Sequence, residues 1–413
     1  MAVIRNDDLL KSPPALADLP VARTAPEVNV HLLSDLPTDN DERWLNMADG
    51  CLASNGRFYT GVGNTLEDID GRGQSRIYEL DPASGNVRLF ADVRATLSDP
   101  LICAGKLQAR LDQGRDGKIY LATHCGLPPS EAAQAAGYKG SAIIAFDPNG
   151  GQVELIDVPA HGDGMPASRL DAQRMLLYTF ATPSNHLLIY DLMERKVVFR
   201  GLGESVSGTR HIMLDRDGNA YFTVNRGFLA RYSPETNLVE MTAAQLPMSR
   251  RHSEISRTGN KLRASTEPTS DGTIYGMTHH GVLFAFEPHA RTLRELGPNL
   301  DDGVYTVTLA LSRNEKYLYY SLTAPEGASL YGVPIIQYEL ATGRRKAIAF
   351  LGDAIRQAFD YRISRNFNTR LSPDGTTLYF TFNGARPVAE GQVQDDYGLP
   401  SIVTVRIPDS EQP

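Results

Sequence analysis

An eleven-residue phrase recurs along this chain. One copy, "DGKIYLATHCG", ends at Gly126, and another, "DGTIYGMTHHG", ends at Gly281. Weaker copies begin at Asn55, Ala172, Asp217, Asn314 and Asp374. Each copy is followed by a short β-rich run such as "SAIIAFDP", and six of these runs lead through a tight turn into another one. A unit of four short strands, repeated at this spacing, is typical of a β-propeller.

The number of copies predicts an all-β fold, a seven-bladed β-propeller with four antiparallel strands in each blade. The Asp-Gly pairs predict two-residue hairpins in which both central residues have positive φ. The seventh unit, after Asn366, supplies only three strands. Residues 27–37, "EVNVHLLSDLP", have the character of the missing strand, so we expect them to close the ring and remove two exposed edges. Residues 1–26 are expected to form an extended N-terminal segment, and residues 27–413 a single propeller domain.

The charge and composition of the chain argue against several classes of protein. The chain has 413 residues and a net charge of −8, which is not typical of a nucleic-acid binder. No apolar run has transmembrane length, and the first residues lack the apolar core of a signal peptide, so we expect no membrane partner. The three cysteines, Cys51, Cys103 and Cys125, show no CxxC spacing. We therefore expect free thiols and a cytoplasmic location.

The propeller topology sorts the loops onto two faces. The turns between the first and second strands of each unit are short and acidic, and they share one face. Nearly all long insertions fall on the other face, at residues 126–140, 242–264, 352–368 and 385–400. Seven of the nine histidines also fall there. Because long loops on a rigid frame commonly carry function, we expect the site on this long-loop face.

The register of the innermost strands predicts a polar ring at the mouth of the central channel. Counting back six residues from the hairpin turns gives Asp49, Arg110, His211, Ser265, Thr308 and Asn368. The ends of the second strands add His124, Asn225, His279 and Asn383. Although the chain is acidic, this face collects Arg110, Arg210, Arg226, Arg250, Arg251, Arg263 and Arg370. The planar guanidinium suits carboxylate, phosphate or sulfate, so a small anionic or saccharide ligand is expected.

With its seven units and the "DGKIYLATH" phrase, the chain resembles the propeller-type polysaccharide lyases of the oligogalacturonate-lyase and ulvan-lyase group. The resemblance implies β-elimination on a uronate-containing saccharide or a similar small anion. In that chemistry a cation neutralises the uronate carboxylate, and a histidine or tyrosine moves the proton. By position, Arg110, Arg210 and His124 would neutralise and stabilise, His211 would be the base, and Tyr305 the acid. Substrate would be bound by Arg210, His279, Asn225, Arg226, Arg263, Asn368 and Asn383.

Two other functions remain open from the sequence. One is a metal-dependent hydrolase or lactonase, for which only Asp49, Asp112 and Glu267 approach the channel. The other is a non-catalytic propeller that binds a ligand or a protein, since fold does not fix function. The chain lacks the His-x-His cluster of the oligogalacturonate type, which argues against a manganese-dependent mechanism. The sequence assigns no metal ligands and leaves the cofactor open, with a divalent cation as the candidate.

Overall fold

The computed structural model describes residues 2–37, 43–66, 73–125, 129–202, 210–248, 260–300, 304–322, 330–388 and 396–412. In these parts the chain forms seven antiparallel sheets of four or five strands, arranged in a ring as the blades of a β-propeller. The predicted fold class and number of blades are confirmed. No helix in the described ranges is long and apolar enough to cross a membrane.

The first four blades follow the chain in order. From the innermost strand outwards, blade 1 contains Leu45–Asn46 with Cys51–Leu52, Phe58–Gly63, Ser75–Asp81 and Asn86–Asp92. Blade 2 contains Lys106–Leu107 with Asp112–Gln113, Ile119–His124, Ile143–Phe146 and Glu154–Asp157. Blade 3 contains Ser168–Asp171, Leu176–Ala181, His186–Asp191 and Lys196–Gly201. Blade 4 contains Met213–Leu214, Ala220–Thr223, Phe228–Ser233 and Leu238–Gln245.

The last three blades complete the ring. Blade 5 contains Leu262–Ser265, Ile274–Thr278, Val282–Glu287 and Thr292–Pro298. Blade 6 contains Ala310–Leu311, Tyr317–Ser321, Pro334–Glu339 and Arg345–Phe350. Blade 7 contains Arg362–Leu371, Thr377–Ala385, Ser401–Arg406, Glu27–Leu32 and Ala2–Ile4. Outside the blades, Ile102–Cys103 pairs in parallel with Gly140–Ser141.

Helical segments are short and lie between strands or near the termini. The α-helices that lie wholly within the described ranges are Val93–Thr96, Glu131–Ala135 and Gly352–Phe359. The 3-10 helices are Asp7–Leu10, Pro14–Leu16, Asn225–Gly227 and Asp409–Glu411. From the sequence, residues 352–368 are expected to form a long insertion. The structure instead folds their first half as a helix and their second half as the start of the innermost strand of blade 7.

The N-terminal strand closes the ring as expected. Glu27–Leu32 pairs antiparallel with Ser401–Arg406, with Glu27 opposite Arg406 and Leu32 opposite Ser401. Val28 and Val30 are buried in the core of blade 7. The residues before this strand are more ordered than the expected extended segment, because Ala2–Ile4 pairs with its outer edge and adds a fifth strand.

The Asp-Gly hairpins adopt a turn different from the predicted one. In the first, the Gly114 amide donates to the Lys118 carbonyl over 2.8 Å, so the loop holds three residues. Only Gly117 has positive φ, at 87°. The Asp116 carboxylate accepts the Lys118 amide at 3.2 Å. A three-residue loop of this kind needs one left-handed residue, which glycine supplies, and the aspartate caps the turn with its side chain. The prediction of positive φ at both central residues was wrong.

The hydrophobic core lies between neighbouring blades. Between blades 3 and 4, for example, Tyr178 and Phe180 pack with Phe222 and Tyr232. The buried Tyr178 hydroxyl donates to the Gly218 carbonyl over 2.9 Å and so ties the two blades together. Aromatic rings packed between the sheets in this way hold the innermost strands at fixed positions around the channel.

Candidate functional site

The polar ring predicted at the channel consists largely of residues that bond one blade to the next. His211 Nε2 lies 2.8 Å from Ser265 Oγ, across the junction of blades 4 and 5. The hydroxyls of Thr308 and Thr369 lie 2.7 Å apart, across the junction of blades 6 and 7. These contacts satisfy the polar side chains within the protein.

Two asparagines predicted to bind substrate are also engaged within the protein. Asn383 accepts the Asn46 amide through Oδ1 and donates to the Asn46 carbonyl through Nδ2, both over 2.8 Å. Asn368 Oδ1 accepts the Gly50 amide at 2.9 Å, and its Nδ2 donates to the Tyr379 carbonyl at 3.1 Å. Both asparagines are fully buried. We assign them to the junction between blade 7 and blade 1 rather than to a ligand.

Deeper in the channel, arginines and carboxylates form one network. Arg110 Nε donates to Asp112 Oδ1 at 2.6 Å, and its Nη2 donates to Glu267 Oε1 at 2.9 Å. Arg169 bonds the same two carboxylates. Arg370 Nη2 donates to Asp49 Oδ2 at 2.7 Å. We call these six residues the channel network: Asp49, Arg110, Asp112, Arg169, Glu267 and Arg370.

The charges of the channel network balance one another. Burial alone would lower the pKa of Arg110, but Asp112 and Glu267 outweigh it and raise that pKa. The Glu267 side chain is 61% exposed, and although partial loss of hydration would raise its pKa, Arg169 and Arg110 hold that pKa well below its usual range. With three arginines against three carboxylates, Arg110 already has its anions. It is therefore poorly placed to neutralise the carboxylate of a substrate, the role suggested from its position in the sequence.

A second group of charges at the mouth of the channel is not balanced in this way. We call Lys106, Arg210, Lys261, Arg263 and His279 the mouth collar. In the described ranges, no carboxylate forms an ion pair with Lys106, Arg210 or Lys261. Burial and then Arg210 lower the pKa of Lys106 to about 8, against the smaller opposing effect of the neighbouring thiols of Cys125 and Cys103. Although Arg210 is exposed, loss of hydration beside the protein surface and then the charge of Arg263 lower its pKa. Mutual repulsion of this kind marks a concentration of positive charge.

Tyr305 joins two members of the mouth collar. Arg263 Nε donates to the Tyr305 hydroxyl at 2.6 Å, and the guanidinium carbon lies 5.4 Å from the centre of the phenol ring. The His279 ring packs edge-on against the same phenol, with centroids 4.8 Å apart. Partial burial and then Arg263 lower the pKa of His279 to about 4, so its imidazole is neutral at pH 7.

A small cavity separates the mouth collar from the channel network. It has a volume of about 40 Å³ and is lined by Asp49, Arg110, Arg210, His211 and Arg263, among others. A space of this size holds a few water molecules, so a sugar ring does not fit inside it. A larger ligand would have to lie on the collar. Arg250 and Arg251, which the sequence reading also placed on this face, lie outside the described residues.

The structure keeps His211 at the channel but makes it a weak base. Burial, followed by the cations Arg110 and Arg169, lowers the pKa of His211 well below its usual value. The imidazole is therefore neutral and bonded to Ser265. The proton affinity that a general base needs is reduced by its position between arginines.

Three other predicted site residues lie apart from this centre. His124 is only 7% exposed and faces the backbone of Gly164, at the junction of blades 2 and 3. Asn225 and Arg226 are exposed in the 3-10 turn that follows the second strand of blade 4. None of the three lines the cavity between collar and network. Among the described residues, no group of three or more histidine, cysteine, aspartate or glutamate side chains could hold a metal ion.

Comparison with known proteins finds likeness in fold. No family model and no curated protein matches the chain. Among solved structures, a crystal structure of the WD40 repeats of RRP9 matches with a TM-score of 0.56 and 9% identity, over 94% of this chain and 99% of that one. A structure of U3-55K matches with a TM-score of 0.54 and 8% identity, over 91% and 98%. These matches support a WD40-like seven-bladed propeller and give no support to the lyase resemblance.

Proposed function

We propose that this protein is a non-catalytic binding propeller that holds an anionic group of its ligand at the mouth collar. The observation that carries the proposal is the contrast in charge between two neighbouring layers of the channel. The channel network pairs its arginines with carboxylates. The collar gathers cations that lower one another's pKa.

A bound anion would relieve the repulsion within the collar. Burial and then Arg210 lower the pKa of Lys261, as they do for Lys106, so both lysines meet the charge of Arg210. Arg263 is buried and is held by Tyr305, which fixes its guanidinium before any ligand arrives. Hydrogen bonds from such a preorganised cation to a carboxylate or phosphate are strong and directional. The shared chemistry is that of a multiply charged oxyanion.

Elimination on a uronate is the second candidate, because one contact supports it. The Tyr305 hydroxyl, which accepts from Arg263, lies beside the neutral His279 ring. A phenol and an imidazole in contact are the residue types that move the proton in such an elimination, although a pKa of about 4 makes His279, like His211, a weak base. The acting groups would then be Tyr305, His279 and Arg263, in place of the more buried set of Arg110, His124 and His211.

Isothermal titration calorimetry with citrate, tripolyphosphate and digalacturonate tests the proposal and distinguishes carboxylate from phosphate. We expect at least one of these anions to bind, and Arg263→Gln to weaken it about tenfold or more, since a hydrogen bond to a charged group contributes about 1.5–3 kcal/mol. Arg406→Gln is the matched control. Arg406 is exposed and lies at the end of the strand Ser401–Arg406, next to the short Asp374 turn and on the face away from the collar.

Two results would change the assignment. If none of the anions binds, or if Arg406→Gln weakens binding as much as Arg263→Gln, the collar is not the site. If digalacturonate is converted to a product with the ultraviolet absorbance of an unsaturated uronate, the protein is a lyase. In that case Tyr305→Phe should abolish the absorbance.

A further inference from the structure

Two cysteines meet beside the mouth collar, at the edge of blade 2. Cys103 lies on the strand Ile102–Cys103, where it is opposite Ser141. Cys125 directly follows the strand Ile119–His124. Neither forms a disulfide, and a hydrogen bond from Cys103 is the largest influence on the pKa of Cys125, which places the two thiols side by side. The fold therefore brings together two groups that can be oxidised as a pair.

Polar side chains converge on the Cys125 thiol. His124 Nδ1 and the Tyr138 hydroxyl are both buried, and by distance and angle neither has a hydrogen-bond partner among the described residues. A Cβ atom at Gly164 would lie 2.3 Å from His124 Nδ1 and 2.8 Å from Cys125 Sγ, so only glycine lets the backbone cover both. A buried nitrogen left without a partner is costly. The Cys125 thiol is the titratable group beside this nitrogen.

The surroundings favour the thiolate form of Cys125. The hydrogen bond from Cys103 lowers the pKa of Cys125 most, and, against the effect of burial, His124 and Tyr138 contribute as well, so that it falls to about 4. Lys106 and Arg210 are the cations that face His124. Burial raises the pKa of Cys51, which lies elsewhere, to about 12. Because the thiolate is the reactive species, Cys125 and Cys51 should differ sharply.

We propose that Cys125 and Cys103 are an oxidisable dithiol, in which Cys125 is the attacking thiolate and Cys103 is the resolving thiol. With hydrogen peroxide as oxidant, Cys125 Sγ attacks one oxygen, the O–O bond breaks, and the leaving hydroxide takes a proton to become water. Cys125 is then a sulfenic acid. Cys103 Sγ loses its proton and attacks that sulfur, which forms the S–S bond and releases a second water. The sulfurs lose two electrons, and the peroxide gains them.

Alkylation of the reduced full-length protein tests the first part of this proposal without any substitution. With limiting iodoacetamide at about pH 6 and peptide mapping by mass spectrometry, we expect Cys125 to react about tenfold or more faster than an ordinary thiol. Cys51 should stay unmodified. The rate at Cys125 should be nearly independent of pH down to about pH 5, and His124→Gln should move that profile to higher pH.

Peroxide treatment tests the second part. We expect the wild type to lose two thiols and to yield a linked peptide pair containing Cys103 and Cys125. Cys51→Ser should behave in the same way. Cys103→Ser should instead trap a sulfenic acid at Cys125 that reacts with dimedone. Equal alkylation of Cys51 and Cys125, or peroxide treatment that leaves Cys103 and Cys125 unlinked, would overturn the proposal. Neither result depends on anion binding at the collar.

Discussion

Replacing Val28 and Val30 by alanine together should destabilise the protein strongly, because both side chains complete the core of blade 7. They are 0% and 3% exposed, and they lie opposite Val405 and Val403 of the neighbouring strand. Each substitution removes two methyl groups, at about 0.8 kcal/mol each, and leaves a cavity that adds to the loss. We therefore expect about 2–3 kcal/mol for each valine. The double variant should lose about 4–5 kcal/mol of unfolding free energy.

Equilibrium unfolding in urea measures this loss. The single tryptophan, Trp44, is fully buried, and Tyr379 of blade 7 lies in the same cluster, so its fluorescence reports on ring closure. Asn29→Ala is the control, since Asn29 lies between the two valines and is only half-buried, and it should cost under about 1 kcal/mol. If the double variant unfolds at the wild-type midpoint, the N-terminal strand does not hold blade 7 closed.

Two further outcomes follow from the site geometry. Anion affinity, measured by calorimetry, should fall as the pH rises from about 7 to about 9. The reason is that Lys106 has a pKa of about 8 and loses its positive charge over this range. An affinity that is constant or rising would exclude Lys106 from binding. Asn383→Ala should lower the unfolding free energy by about 2–4 kcal/mol, because the buried backbone amide and carbonyl of Asn46 lose their partners. Asn225→Ala, at an exposed turn, is the control and should be nearly neutral. Equal urea midpoints for the two variants would contradict the assignment of Asn383 to ring closure.

Much of the fold could be predicted because it repeats locally. The tyrosine strand recurs in each unit and the Asp-Gly turn in four of them, and hairpin pairing then follows from neighbouring residues. Ring closure could also be predicted. The last unit supplies only three strands, and Glu27–Leu32 has the alternation of apolar and polar residues expected of the fourth. The strand Ala2–Ile4 could not, because three residues are too few for a periodic pattern to be recognised.

The site was less predictable because its side chains find distant partners. Register brought Arg110 to the channel, but its bond to Glu267 joins residues 157 positions apart, which no local pattern contains. Arg169 was missed since the copy that begins at Ala172 lacks Asp-Gly, so there was no turn from which to count back. Lys106 begins an innermost strand of two residues, and Lys261 directly precedes one of four. Strands this short show too little alternation of polar and apolar residues to predict which way a side chain faces.

Locating a bound anion tests the central claim most directly. Crystals soaked in sodium selenate would show the anion by the anomalous scattering of selenium. The charge contrast within the channel predicts a peak at the mouth collar, within hydrogen-bond distance of Arg263 and either Arg210 or Lys261, and none at the channel network. Selenate bound elsewhere on the protein, with the collar empty, would contradict the proposal that the mouth of this propeller is an anion site.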